Sequence, residues 1–253
     1  MAPENTLAAF ARAVADGADG IELDVRLARD GIPVVIHDAT LRRTAMRAGI
    51  VAKMTANELG RIDVGSWFNL TKPACARPDY VCQFVPTLNQ TFRFFNEITN
   101  RQTIIYIELK TDGDRRSANR LAQSVVQSIN EFQFVERVVV VSFNLKALAA
   151  LKEIDPAICT GALFEPRLRV RKLLTTRRMI ATAIETGAGQ VLLHGSLATP
   201  GRVRAVIESQ LVPVVWTIND VKWIETKKAA GVHAIITNIP AELAAAQGKI
   251  LHR

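Results

Sequence analysis

The chain has 253 residues, 49% of them hydrophobic and 6% aromatic, with three cysteines and a formal charge of +8. A chain of that length buries a core without staples, and no apolar run approaches the ~18 residues of a membrane-spanning helix. The basic excess suits anionic partners such as phosphate esters or anionic lipid, but no nucleic-acid motif and no basic stripe interleaved with aromatics accompanies it.

In chain order, Leu7, Phe10, Ala11 and Val14 fall at helical spacing from Glu4 onward, and Gly17 is placed to end the helix. Gly20 to Asp38 then reads G-I-E-L-D-V-R-L-A-R-D-G-I-P-V-V-I-H-D. Asp-Gly between two β-rich runs is a strong hairpin signal. A two-residue turn at Asp30-Gly31 predicts Arg29 opposite Ile32, Leu27 opposite Val34, Val25 opposite Ile36 and Asp24 directly across from His37. Glu22 and Asp24, two apart on one strand, share a face. Carboxylates interrupting a run that otherwise reads as core need hydrogen bonds or a cation to offset their burial, and a hard divalent ion is the simplest partner.

Leu41 to Asn100 is of mixed character and is expected to be an excursion from the main fold, a candidate lid. It holds a helical piece at Thr55 to Ile62, a Pro- and Cys-bearing stretch from Trp67 to Phe84, and Pro86-Thr87-Leu88 leading into a helix through Phe95. A strand-helix rhythm follows. Counting residues 20–27, the barrel-type strands are expected at 103–110, 138–143, 157–164, 190–194, 213–219 and 234–238, with helices between them. Such alternation implies parallel strands with right-handed crossovers. The fold class is therefore α/β, a single TIM-type (β/α)8 barrel over 1–253 with a small insertion at about 41–100. Seven strands are visible where a closed barrel has eight, so the first is expected to be missing just before Met1.

Arg167 to Arg178 carries six basic residues and no acid, a pattern for a solvated helix face or for peripheral contact with an anionic membrane. Cys75 and Cys82 would be placed to pair in an exported protein and to remain thiols in a cytoplasmic one, while Cys159 reads as core. Barrel chemistry gathers at the C-terminal ends of strands. Glu22, Asp24, Glu108, Lys110, His194, Trp216 and Asn219 all fall there, with His194 expected to be structural. Carboxylates with a lysine at one mouth suit a cation and an anionic, oxygen-rich ligand.

Several blocks resemble the glycerophosphodiester phosphodiesterases in order and spacing. They are P-E-N-T-L-A-A-F from Pro3, the Gly20 to Asp38 run, L-R-R-T from Leu41, P-T-L from Pro86, I-E-L-K from Ile107, V-S-F from Val141, V-V-W-T-I-N-D from Val214 and G-V-H-A-I-I-T-N-I-P from Gly231. The resemblance implies hydrolysis of glycerophosphodiesters to glycerol 3-phosphate and an alcohol with Mg²⁺ or Ca²⁺. It implies Glu22, Asp24 and Glu108 as metal ligands, His37 as an acid-base histidine, and Lys110, Glu4 and Trp216 as substrate-side residues. The family opens on a strand ending in His-Arg-Gly upstream of P-E-N, with a second histidine and an arginine for the phosphate. Neither is present, and Asn238 stands where the family often has Asp. The resemblance leaves two rivals open: a phospholipase-C/D-like diesterase acting on lipids, and a catalytically impaired ligand-binding barrel.

Overall fold

The computed structural model describes residues 1–99, 102–111, 115–166, 175–223 and 231–251. Each of the seven expected runs forms a strand: β1 Gly20–Leu27, β3 Ile104–Leu109, β4 Val138–Ser142, β5 Cys159–Phe164, β6 Gln190–His194, β7 Val212–Trp216 and β8 Ala234–Ile235, with the short hairpin arm β2 at Pro33–Val35. The sheet order is β2-β1-β3-β4-β5-β6-β7-β8. All pairings are parallel except β1 with β2.

Near-continuous apolar strands are what a parallel sheet covered on both faces requires. In β4, Val138 and Val140 pack outward with the helices, whereas Val139 and Val141 join Tyr106, Leu163, Leu192 and Val214 inside the curled sheet. That interior is filled: a Cβ on Gly161 of β5 would overlap the Leu192 side chain. The same alternation sends Ile21, Leu23 and Val25 outward, which turns Glu22 and Asp24 inward.

Helix α1 (Leu7–Ala15) is capped by Thr6, whose hydroxyl accepts from the Ala9 N–H at 3.2 Å, and Gly17 at φ +80 ends it. Short helices α2 (Ala56–Leu59) and α3 (Ser66–Thr71) precede α4 (Leu88–Ile98), which opens on a Thr87–Gln90 capping box. Its Leu88, Phe92 and Phe95 join the main core, with Phe92 stacked on Phe134 at 4.5 Å. Helices α5 (Arg115–Glu131), α6 (Leu145–Ile154), α7 (Thr176–Glu185) and α8 (Pro200–Glu208) link successive strands, and α9 (Pro240–Leu251) follows β8.

Residues 41–85 carry a separate core of Leu41, Val51, Ala56, Leu59, Ile62, Val64 and Val85, closed over Val34 and Ile36. The hairpin register differs from the expected one. The pairs are Val25 with Val35, Arg26 with Val34 and Leu27 with Pro33, because the loop holds one residue more. Ala28 N–H donates to the Ile32 carbonyl, Gly31 N–H donates to the Ala28 carbonyl, and Gly31 sits at φ +82. This is a three-residue turn closed by a left-handed glycine. Asp30 is held by a further task, since its carboxylate accepts from Ala56 N–H at 3.1 Å at the start of α2.

Cys75, Cys82 and Cys159 are free thiols, so the Cys75–Cys82 pair is not formed. Of the basic run Arg167 to Arg178, residues 167–174 lie outside the described residues. Among the described residues, β8 does not pair with β1. Between these two strands lies a cleft of about 830 Å³, lined by Gly20, Ile21, Glu22 and Asp24 on one side and by Ala234 and Ile235 on the other.

Candidate active site

The parallel register of β1 with β3 places Asp24 beside Glu108. Glu22, Asp24 and Glu108 bring carboxylate oxygens within 4.8 Å of one another. Lys110, one residue past β3, is fixed by its N–H bond to the Val25 carbonyl at 3.0 Å. Its Nζ lies 2.6 Å from Glu108 Oε1 and 3.1 Å from Asp24 Oδ1.

One lysine does not balance three acids. Removal from bulk water, and then the Asp24 and Glu108 charges, push the Glu22 carboxyl well above the usual carboxylate range. Burial raises Glu108 as well, with Lys110 opposing it. Burial alone would lower Lys110, but Asp24 and Glu108 outweigh it and hold the ammonium above its ordinary value. An oxygen-only donor set with surplus negative charge suits a hard divalent cation better than a soft one. The three carboxylates could hold such a metal.

His37 lines the same cleft as Glu22 and Asp24. It does not arrive by strand alternation. With Ile36 N–H donating to the Asp24 carbonyl at 2.9 Å, Ile36 rather than His37 stands opposite Asp24. A one-residue slip would put His37 on the wrong face of a regular strand, but β2 ends at Val35 and the chain turns beyond it. Arg26 Nε donates to the His37 carbonyl at 2.7 Å and anchors that turn.

Behind the imidazole runs a chain of charges. His37 Nδ1 is 2.6 Å from Asp38 Oδ1, and Arg43 donates to both Asp38 oxygens, at 2.8 and 3.1 Å. The other edge of the Arg43 guanidinium grips Glu4 at 2.6 and 2.7 Å, and its face lies over Trp67. Hydrogen bonds from Arg43, with help from His37, lower the Asp38 carboxyl to about 2. The Arg43 guanidinium is raised by Glu4 and Asp38 in turn.

Glu4 thus lines the cleft while engaged with an arginine. Trp216 stands at the β7 side of the mouth, edge-on to Phe143 and His194 at 5.4 Å each, with its indole N–H donating to the Leu192 carbonyl at 3.3 Å. Phe143 in turn lies 6.0 Å from the Lys110 ammonium. His194 Nδ1 bonds Ser196 Oγ at 2.8 Å. Asn219 Oδ1 accepts from Asn238 N–H at 2.9 Å and ties two loops together.

Asn5, Asp38 and Arg43 were not reached from the sequence. All three lie within the blocks quoted for the resemblance, but Arg43 and Glu4 are 39 positions apart. Nothing in the spacing tells which way either side chain turns.

A curled α/β barrel with three acids and a lysine clustered beside a cleft that a histidine also lines defines a class, the barrels that act on anionic, oxygen-rich ligands. The chain belongs to the glycerophosphoryl diester phosphodiesterase family, whose model matches residues 1–242. It is 32% identical to a glycerophosphodiester phosphodiesterase of Caldanaerobacter subterraneus subsp. tengcongensis, across 95% of this chain and 90% of that protein. Among solved structures it is similar to a putative glycerophosphoryl diester phosphodiesterase from Silicibacter pomeroyi, with a TM-score of 0.88, 23% identity and coverage of 99% and 90% of the two chains. An Oleispira antarctica phosphodiesterase, solved with the product sn-glycerol-3-phosphate, superposes with a TM-score of 0.83 at 24% identity, covering 98% and 92%.

Proposed function

We propose that this chain is a metal-dependent phosphodiesterase that hydrolyses glycerophosphodiesters to glycerol 3-phosphate and an alcohol. The observation that carries it is the convergence of Glu22, Asp24, Glu108 and Lys110 beside a cleft that Glu22, Asp24 and His37 line. The named relatives and the product-bound structural relative support the substrate class.

Glu22, Asp24 and Glu108 would hold Mg²⁺ or Ca²⁺, which when bound supplies positive charge to a phosphate oxygen. Lys110 adds a second, fixed positive charge on the β3 side of the phosphate. His37, with Nδ1 committed to Asp38, keeps Nε2 free to take a proton from an attacking oxygen or return one to a leaving oxygen. Trp216, with Phe143, forms an apolar wall at the mouth for the glycerol or alcohol moiety. Glu4 serves the substrate side through Arg43.

A second reading is favoured by the gap between β8 and the Gly20 to Asp24 part of β1, which do not pair with each other among the described residues and both line the cleft. One further parallel strand would fit between them, and in the family such a strand carries His-Arg-Gly. Without it the barrel would keep metal and ligand but turn over slowly, since one acid-base group contributes ~10²–10⁴ in rate.

Both readings are tested by glycerol 3-phosphate release from glycerophosphocholine with Mg²⁺ or Ca²⁺, from this chain and from a form extended at its N-terminus by a strand bearing His-Arg-Gly. Release that chelation abolishes and the added strand increases by two orders of magnitude is expected. No release from either form overturns the function, and equal release removes the strand.

A further inference from the structure

Asn5 is a buried polar residue in a left-handed backbone conformation, φ +56, immediately before the N-cap of α1. A non-glycine residue is uncommon in that region, and asparagine is among the residues best suited to it. Its amide turns entirely onto one residue. Asn5 Nδ2 donates to Asp24 Oδ2 at 2.7 Å, and Asn5 Oδ1 accepts from the Asp24 N–H at 2.9 Å. Only one orientation of the amide satisfies both bonds, because its reverse would set oxygen against carboxylate and N–H against N–H. Asp24 is therefore gripped at its backbone and at its carboxylate by the same planar group.

The grip has an electrostatic side. Lys110 holds Asp24 Oδ1 with a full positive charge that competes with any cation. Asn5 holds Oδ2 with a neutral donor that does not compete, and each oxygen retains a lone pair directed elsewhere. We infer that Asn5 is a positioning residue for the cation site: its amide fixes the Asp24 carboxylate so that both oxygens stay available to a divalent ion beside Glu22 and Glu108. This rests on the assignment of those three carboxylates to an ion.

The test is Mn²⁺ binding to the purified full chain, followed by electron paramagnetic resonance of the free ion and needing no turnover. Asn5→Gly keeps the backbone conformation and deletes the amide, whereas Asn5→Ala deletes the amide and strains the backbone. Both are expected to weaken Mn²⁺ binding by 10- to 100-fold, the usual effect of losing a group that orients a ligand, with an unchanged circular dichroism spectrum for Asn5→Gly. Wild-type affinity in Asn5→Gly overturns the inference and leaves Asn5 a backbone residue, whether or not Asn5→Ala folds. Glu108→Gln separates the two levels. If the wild type binds no Mn²⁺, or Glu108→Gln binds it equally well, the ion assignment fails and the role of Asn5 falls with it. If Glu108→Gln loses Mn²⁺ and Asn5→Gly does not, the role of Asn5 alone is wrong.

Discussion

Asp38 is the residue through which the imidazole is oriented, and its own state is set by Arg43. With Nδ1–H of His37 donating to the Asp38 carboxylate, Nε2 faces away from it and is the nitrogen left to exchange a proton. His37→Ala is expected to lower kcat by ~10²–10⁴. Asp38→Asn, which leaves the ring but not its orientation, should give a smaller loss with little change in KM for glycerophosphocholine. The same carboxylate makes stability depend on pH. Its folded value of about 2 lies below its ordinary one, so its contribution is present above pH ~4 and is lost as pH falls from there toward 2. With the side chain 25% exposed, screening leaves roughly 1 kcal/mol. Urea midpoints measured from pH 5 to pH 2 should fall less steeply for Asp38→Asn than for the wild type.

At the scale of elements, α4 joins the hairpin side of the sheet to its helical coat, and its anchoring is aromatic. Phe92 is fully buried, stacked on Phe134 and tilted against Phe132. Phe92→Ala is expected to cost about 3–5 kcal/mol in urea unfolding. Thr87→Ala, which removes only the cap of the same helix, should cost about 1 kcal/mol. The strands were legible because parallel strands covered on both faces write themselves as apolar runs, and β1 at Gly20–Leu27 matches the residues read from the sequence. The hairpin was half legible. Asp-Gly marked the turn but not its length, and Asp30 was already committed to capping α2. The acids on β1 and β3 could be placed together because period-two alternation fixes a face. The links from Glu4 through Arg43 to Asp38 could not, because long side chains meeting from distant loops leave no periodic trace.

At the scale of the whole molecule, the described residues hold two packed bodies with unequal shares of the site. Glu22, Asp24 and Glu108 stand on strands of the main core and Lys110 directly follows β3, while His37 follows Val34 and Ile36, which pack into the core of residues 41–85. A cavity in the second core should therefore loosen the imidazole and spare the carboxylates. Leu59→Ala is expected to cost about 2–5 kcal/mol and to admit limited proteolysis within 41–85. It should lower kcat while leaving Mn²⁺ affinity within about twofold of the wild type. A loss of Mn²⁺ binding equal to the loss of turnover would mean that the two bodies are not separable in this way.

Trp67, Phe68 and Lys72 of the 41–85 body also form one wall of the cleft. Selection can consequently rework which alcohol is welcomed by exchanging a surface module, with the carboxylate-bearing strands inherited unchanged. Diversity among relatives in what they cleave should then track this module more closely than the sheet.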